Sequence, residues 1–154
     1  MALRGWASLA WQSDYGQFYL VDPGDSAFRP PEEITPEMMN RSLFVPANGL
    51  VVYTEGCLQQ RIDIAIHDTE PDHPTAEPMG GNPWARVGTV GLLFPSRRFA
   101  LSSPSSPSPL PCGPFFLLDS ATVMARISWM EFQGSRDDSV PVEPDVIAIA
   151  LWPA

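Results

Sequence analysis

Apolar residues in this chain fall into short runs, and most of the runs alternate. The clearest is Arg61 to His67: Ile62, Ile64 and Ile66 share one face, and Arg61, Asp63, Ala65 and His67 share the other. A period of two predicts a strand with one side packed and one side in water, the habit of antiparallel sheets. Val123 to Met130 repeats the pattern, with Val123, Ala125, Ile127 and Trp129 opposite Met124, Arg126, Ser128 and Met130. Ser8 to Trp11, Gln17 to Val21, Leu50 to Thr54, Phe99 to Leu101 and Phe115 to Leu118 read as further short strands. Trp84 to Phe94 reads as a longer one, kinked at Gly88 and Gly91. The last run, Asp145 to Trp152, is apolar on both faces: Val146, Ala148, Ala150 and Trp152 on one, Ile147, Ile149 and Leu151 on the other. Such a strand is expected at the centre of a sheet or covered on both sides.

The period changes once. At Ile34 to Ser42, Thr35 is a good cap, Pro36 suits the first helical position and Glu37 complements the positive end of the dipole. Ile34, just outside, is placed to staple onto Met38 or Met39. Pro46 and Asn48-Gly49 end the helix soon afterwards. With 18 prolines and 11 glycines breaking the chain, long helices are disfavoured. The elements predict an all-β fold: a single-domain antiparallel β-sandwich over residues 1–154 with one short helix near residues 34–42. Two stretches, about 68–83 and 102–112, are acidic or serine- and proline-rich and are expected to be mobile loops.

Charge sharpens this picture. The chain has 18 acidic residues, nine arginines and no lysine, for a net charge of −9. Most acids sit between the apolar runs, so the sheets carry an acidic loop surface. That balance disfavours direct binding to nucleic acid or to anionic membranes and suits a basic protein partner. No run is long and apolar enough to span a bilayer, and the N-terminal stretch lacks the apolar core of a signal peptide. A cytoplasmic protein with reduced Cys57 and Cys112 is therefore the expectation.

Candidate chemistry is sparse. No glycine loop leads from a strand into a helix to hold a phosphate. Cys57 lacks an evident base, and only two histidines exist to serve a nucleophile. The stretch His67, Asp68, Glu70, Asp72, His73 holds the best set of metal ligands, but its spacing matches no standard site and a solvated acidic loop is favoured. Asp63 and Arg61 share a strand face, which makes a surface ion pair the simplest reading. Five tryptophans are many for this length, and one or two exposed near acids would have the composition of an interface hot spot. No cofactor is expected.

The order of features also resembles one small bacterial family, the competence protein J type, known as the inhibitor of a DNA-entry nuclease. The similar features are the strand at Tyr15-Gly16-Gln17-Phe18, the capped helix at Thr35-Pro36-Glu37, and the strand entered at Asn48-Gly49-Leu50-Val51-Val52. The alternating strand Ile62 to Ile66, the strand region Trp84 to Phe94, Gly113-Pro114-Phe115 leading to Ile127-Ser128-Trp129, and the closing strand after Asp145 follow in order. The serine-proline stretch and the loop from Asp68 to Pro83 depart from the family pattern. The resemblance implies a non-enzymatic inhibitor or immunity-like protein that blocks a basic nuclease or toxin-like partner. The acids expected to make that contact are Asp68, Glu70, Asp72, Asp137 and Asp138, with Glu143 in support. Two other readings stand beside it: a sandwich that binds a small ligand or carbohydrate on its aromatic faces, and a metal-dependent enzyme using the His67–His73 loop.

Overall fold

The computed structural model describes residues 2–12, 15–24, 28–54, 59–72, 84–104, 115–130 and 145–154. These form ten strands and one helix: β1 (Leu3–Gln12), β2 (Gln17–Val21), α1 (Pro36–Arg41), β3 (Leu43–Phe44), β4 (Gly49–Tyr53), β5 (Gln59–His67), β6 (Trp84–Leu93), β7 (Arg98–Ser102), β8 (Phe115–Leu117), β9 (Thr122–Met130) and β10 (Asp145–Pro153). The expected all-β class with one short helix is what the chain adopts. Two compact units are present. One comprises Met1–Gln12, Leu58–Val90 and Met124–Pro153, the other Ser13–Cys57 and Gly91–Val123 with Ala154.

A five-stranded sheet in the order β1-β5-β10-β9-β6 dominates the first unit. β1 pairs antiparallel with β5, from Leu3 opposite His67 to Gln12 opposite Gln59, with a register shift between Leu3 and Gly5. β10 pairs with β5 in parallel, Ile147 beside Ile62 and Ile149 beside Ile64. A parallel pair cannot be closed by a tight turn, so the two strands come from distant parts of the chain. β10 is the central strand, as its two apolar faces predict. Ile62, Ile64, Ile147, Ile149, Leu151, Ala125 and Ile127 are buried almost completely and form the packed face of this sheet.

The second sheet has the order β3-β4-β2-β7-β8, with antiparallel pairs throughout. All five residues of β2 and all five of β4 are buried. The alternation along β2 therefore separates two covered faces. On one, Tyr19, Val21, Val51 and Tyr53 pack with Phe28, and Met38 and Phe44 close over them. Elsewhere in this unit Phe99 stacks on Phe116 at 4.7 Å between ring centroids and tilts against Phe94 at 5.4 Å.

The helix explains how Met38 reaches that cluster. Thr35 caps it, its hydroxyl accepting from the Met38 amide at 3.2 Å, and Pro36 opens it. The Thr35 amide donates back to the Met38 sulfur at 3.4 Å, so a thioether fills the place that Glu or Gln takes in a capping box. The Tyr53 hydroxyl donates to the same sulfur at 3.7 Å. Ile34 and Met39, the expected staple, are instead exposed, because Met38 faces the sheet. Ser42, in the left-handed region, ends the helix.

Asp22 fastens the end of β2 to the turn before β7. It is fully buried, and its carboxylate accepts from the Gly24 amide at 2.7 Å, the Ser96 amide at 2.8 Å and the Ser96 hydroxyl at 2.6 Å. A buried carboxylate is tolerable only with such a set of donors.

Candidate functional site

The outward face of the first sheet carries most of the described polar chemistry. Across the parallel pair Asp63 lies beside Ala148 and Ala65 beside Ala150. On the other side β1 sets Ser8 against Asp63 and Trp6 against Ala65. Asp63 accepts from Arg61 Nε at 2.9 Å and from the Ser8 hydroxyl at 2.6 Å, so the expected Arg61–Asp63 ion pair is present. Trp6 is 62% exposed, which makes it the open tryptophan of this face.

After β5 the chain turns back over the sheet. Asp68 starts the turn by a reciprocal pair with Ala2: its amide donates to the Ala2 carbonyl at 3.0 Å, and the Ala2 amide donates to its carboxylate at 2.6 Å. That amide bond, helped by the Thr69 hydroxyl, holds the Asp68 carboxyl below its ordinary pKa. Two residues on, Glu70 meets Arg126 of β9.

Arg126 is the organising side chain. It is 3% exposed in the middle of an apolar strand. Its Nη1 donates to the carbonyls of Pro71 and Asp72, both at 3.0 Å, and its Nη2 to Glu70 Oε1 at 3.0 Å. Its guanidinium carbon sits 5.2 Å from the centre of the Trp152 ring. A planar fork with donors on both edges can hold a carboxylate and a backbone turn at once, which a lysine cannot. Residues 70–72 are thereby tied down onto the sheet, and Pro71 is buried.

Between this turn and the sheet lies a pocket of about 230 Å³, almost wholly apolar in its surface. Its floor is Ala65, Ala148 and Ala150, and its rim includes Asp63, His67, Asp72 and Arg126. Alanine is a poor strand former. Three of them on neighbouring strands leave a depression that larger outward residues would fill. The second apolar face of β10, unexplained by core packing, is this floor.

Among the described residues, two polar atoms of the rim residues are buried without a partner: Nδ1 of His67 and Nε of Arg126. Burial pushes the His67 imidazole below its ordinary value of 6.5; Asp68 opposes this and Arg126 adds to it. The shift favours the neutral form of the imidazole.

Of the acids expected at an interface, Asp68, Glu70 and Asp72 are brought together on one turn beside the pocket. Glu70 spends its charge on Arg126, whereas no described side chain bonds the Asp72 carboxylate. Asp137, Asp138 and Glu143 lie outside the described residues, as do His73, Cys57, Cys112 and the loop portions 73–83 and 105–112. Among the described residues no three His, Cys, Asp or Glu side chains are grouped to hold a metal, and no helix is long and apolar enough to cross a membrane. Arg126 and the alanine floor are the parts that sequence reasoning passed over. The available signal was a lone charge inside an apolar strand.

Comparison with known proteins places the fold. No family model matches the chain, and no curated protein matches it. Among solved structures, ComJ from Bacillus subtilis, described as the inhibitor of the DNA degrading activity of NucA, superposes with a TM-score of 0.71. That match has 12% identity and covers all of both chains. A second structure, described as crocagin biosynthetic gene J, superposes with a TM-score of 0.62 at 13% identity over 99% of each chain. The fold is that of ComJ. The resemblance read from the order of strands, cap and turns is thus matched in three dimensions.

Proposed function

We propose that this protein is a non-enzymatic inhibitor that binds a basic nuclease or toxin-like protein and blocks it. The observation that carries the reading is the end-to-end likeness to ComJ, whose described role is inhibition of a nuclease. The net charge of −9 supports it, because nucleases present basic surfaces to DNA and complementary charge steers association. The turn at Asp68, Glu70 and Asp72 is our choice for the described part of the contact. Asp72 offers a carboxylate with no described partner, and Arg126 fixes the turn that presents it. Asp137, Asp138 and Glu143 extend the proposed surface.

The test is an inhibition titration. Purified protein is added to a lysate of its host in which cleavage of a fluorescent DNA duplex is followed. The reading expects dose-dependent loss of a nuclease activity, weakened at raised salt. It also expects about a tenfold or greater rise in the half-inhibitory concentration for the double variant Asp68→Arg, Asp72→Arg, since rim charges act mainly on association. Nuclease activity that stays constant at saturating protein, in lysates and against a purified DNA-entry nuclease, sinks the reading.

A further inference from the structure

The pocket over the alanine floor is shaped by residues that the packing of the sheet does not require. On the outward face of β10, Val146 and Trp152 are large and buried, and the two positions between them, Ala148 and Ala150, are small. Ala65 of β5 lies beside Ala150 and widens the depression. Ala148 and Ala150 are two residues apart, about 6.6 Å along a strand. That is the reach of an unbranched stem rather than of a methyl or isopropyl group. At about 230 Å³ the space is below the roughly 300–1,000 Å³ of sites for drug-sized ligands, which scales it to a single side chain.

The walls are apolar, so an occupant gains by burying carbon, and the rim sets what it carries at its outer end. The carboxylates there differ in what already answers them. Asp63 accepts from Arg61 and Ser8. Glu70, just outside the pocket, pairs with Arg126. Asp72 is exposed, and among the described residues its carboxylate has no partner. A protein seated over the pocket takes water from that carboxylate. An uncharged occupant would leave it desolvated and unpaired, an acidic one would repel it, and a cation at the mouth pairs with it. Arg126 is compensated before any ligand arrives: its guanidinium is buried and bound to Glu70 and to the carbonyls of Pro71 and Asp72. Trp6, set against Ala65 across β1 and open to solvent, offers a cation a ring face on the same side of the sheet. A carbon stem with a positive end is the chemistry of lysine and arginine, which lay their stems on apolar surface and keep the head in water.

We propose that this pocket receives the aliphatic stem of a basic side chain of the protein partner, lysine or arginine, with its charged head at the mouth beside Asp72. The assignment rests on the inhibitor reading for the source of that side chain, but the chemistry of the pocket is independent of it. The inhibitor reading needs the acids only as a field that steers a basic partner. The pocket adds a place where one of the partner's cations is held, its carbon on the alanine floor and its charge against a carboxylate on the turn that Arg126 fixes.

The experiment uses the full-length protein and four probes: the N-acetyl amides of lysine, arginine, norleucine and glutamate. Binding is read from the methyl NMR signals of Ala65, Ala148 and Ala150. Lysine or arginine amide is expected to move all three, and the tighter of the two names the residue. Norleucine has the four-carbon stem of lysine without the charge; it should bind about three- to fivefold more weakly, the scale of an exposed ion pair. Glutamate amide should not register. Raised salt should bring the basic amides down toward norleucine. Asp72→Asn keeps the carbonyl that Arg126 holds and should reduce the preference for the basic amides over norleucine to near unity. Ala148→Leu should abolish the response by filling the floor. No shift with either basic amide, norleucine binding as tightly as both, a preference that survives Asp72→Asn, or shifts spread away from the three alanines overturns the proposal. In the nuclease titration Ala148→Leu should raise the half-inhibitory concentration about tenfold or more; unchanged inhibition by that variant overturns the insertion of a partner residue. A protein that takes up the basic amides at the floor but inhibits no nuclease supports the pocket assignment and refutes the inhibitor reading instead.

Discussion

The two sheets use similar residues to opposite ends. In the sheet β3-β4-β2-β7-β8, the central strands are buried on both faces: β2 and β4 have no exposed position, and Phe28, Met38 and Phe44 cover what would be an outer side. In the sheet β1-β5-β10-β9-β6, β5 keeps strict alternation, with isoleucines inward and Arg61, Asp63, Ala65 and His67 outward. The covered sheet is built mainly around packing. The other leaves a face open and furnishes it with charges, a turn and a pocket. A contact surface is therefore expected on the open sheet, and damage to stability should be greatest in the covered one.

Phe99→Ala should break the contrast most severely. The ring is fully buried and lies against both Phe94 and Phe116. Its removal leaves a cavity worth about 3–5 kcal/mol, read as a fall in the urea midpoint with little change in slope. The same truncation at Trp6, on the open face, should shift stability by no more than about 0.5 kcal/mol. If Trp6→Ala costs as much as Phe99→Ala, the open face is not open.

Gly49→Ala comes next. A Cβ at this position would come within 2.8 Å of the Leu20 carbonyl oxygen and would collide with the Phe28 ring. The ring can move, but the carbonyl belongs to the ladder between β2 and β4. Overpacking of this kind costs about 1–3 kcal/mol. A stable Gly49→Ala protein with an unchanged melting temperature would show that the cover over β4 is loose.

How far the sequence exposed this division depends on range. Local signals were legible. Thr35 and Pro36 marked the helix start, Ile62, Ile64 and Ile66 marked the packed face, and the doubly apolar run after Asp145 marked a central strand. What failed to show was whatever depends on residues far apart. Nothing near Gln17–Val21 reveals that Phe28 and Met38 will cover its second face. A methionine in place of Glu at the third helical position hides a capping box, because its sulfur acts there only once Tyr53 and the sheet bring it into position. Arg126 was visible as a lone charge in β9, but its partners at Glu70, Pro71 and Asp72 lie more than fifty positions away. The parallel pairing of β5 and β10 was likewise invisible, since alternation is the same for either direction. The alanine floor read as apolar strand surface and became a pocket only when β5 and β10 came into register.

Arg126→Lys sharpens the comparison from the open side. The charge and most of the stem survive, but one ammonium cannot serve two carbonyls, a carboxylate and the Trp152 face together. Stability should fall by about 1–2 kcal/mol, the scale of one or two lost charge-assisted hydrogen bonds. Because residues 70–72 lose their tether, the drop in nuclease inhibition should exceed what the fraction unfolded explains. A lysine variant that is destabilised yet inhibits fully when folded would confine Arg126 to a structural role.

The smallest expected effect belongs to His67, and pH alone reads it. Desolvation holds its pKa below 6.5 in the folded protein; Asp68 pulls the other way and Arg126 reinforces the depression. The folded state therefore binds a proton less readily than the unfolded chain. Well above pH 6.5 both states are neutral and the residue contributes no pH dependence. As pH falls below that value the unfolded chain takes up the proton first, so stability declines until the folded pKa is passed. Asp68 acts in a different window: its lowered pKa adds stability above its ordinary value of 3.8 and loses it only in stronger acid. Urea midpoints between pH 7.5 and 5.0 thus isolate the imidazole, and His67→Gln should flatten the decline, with His73 common to both proteins. Parallel curves for the two proteins would mean that the imidazole is solvated and its Nδ1 already satisfied by water.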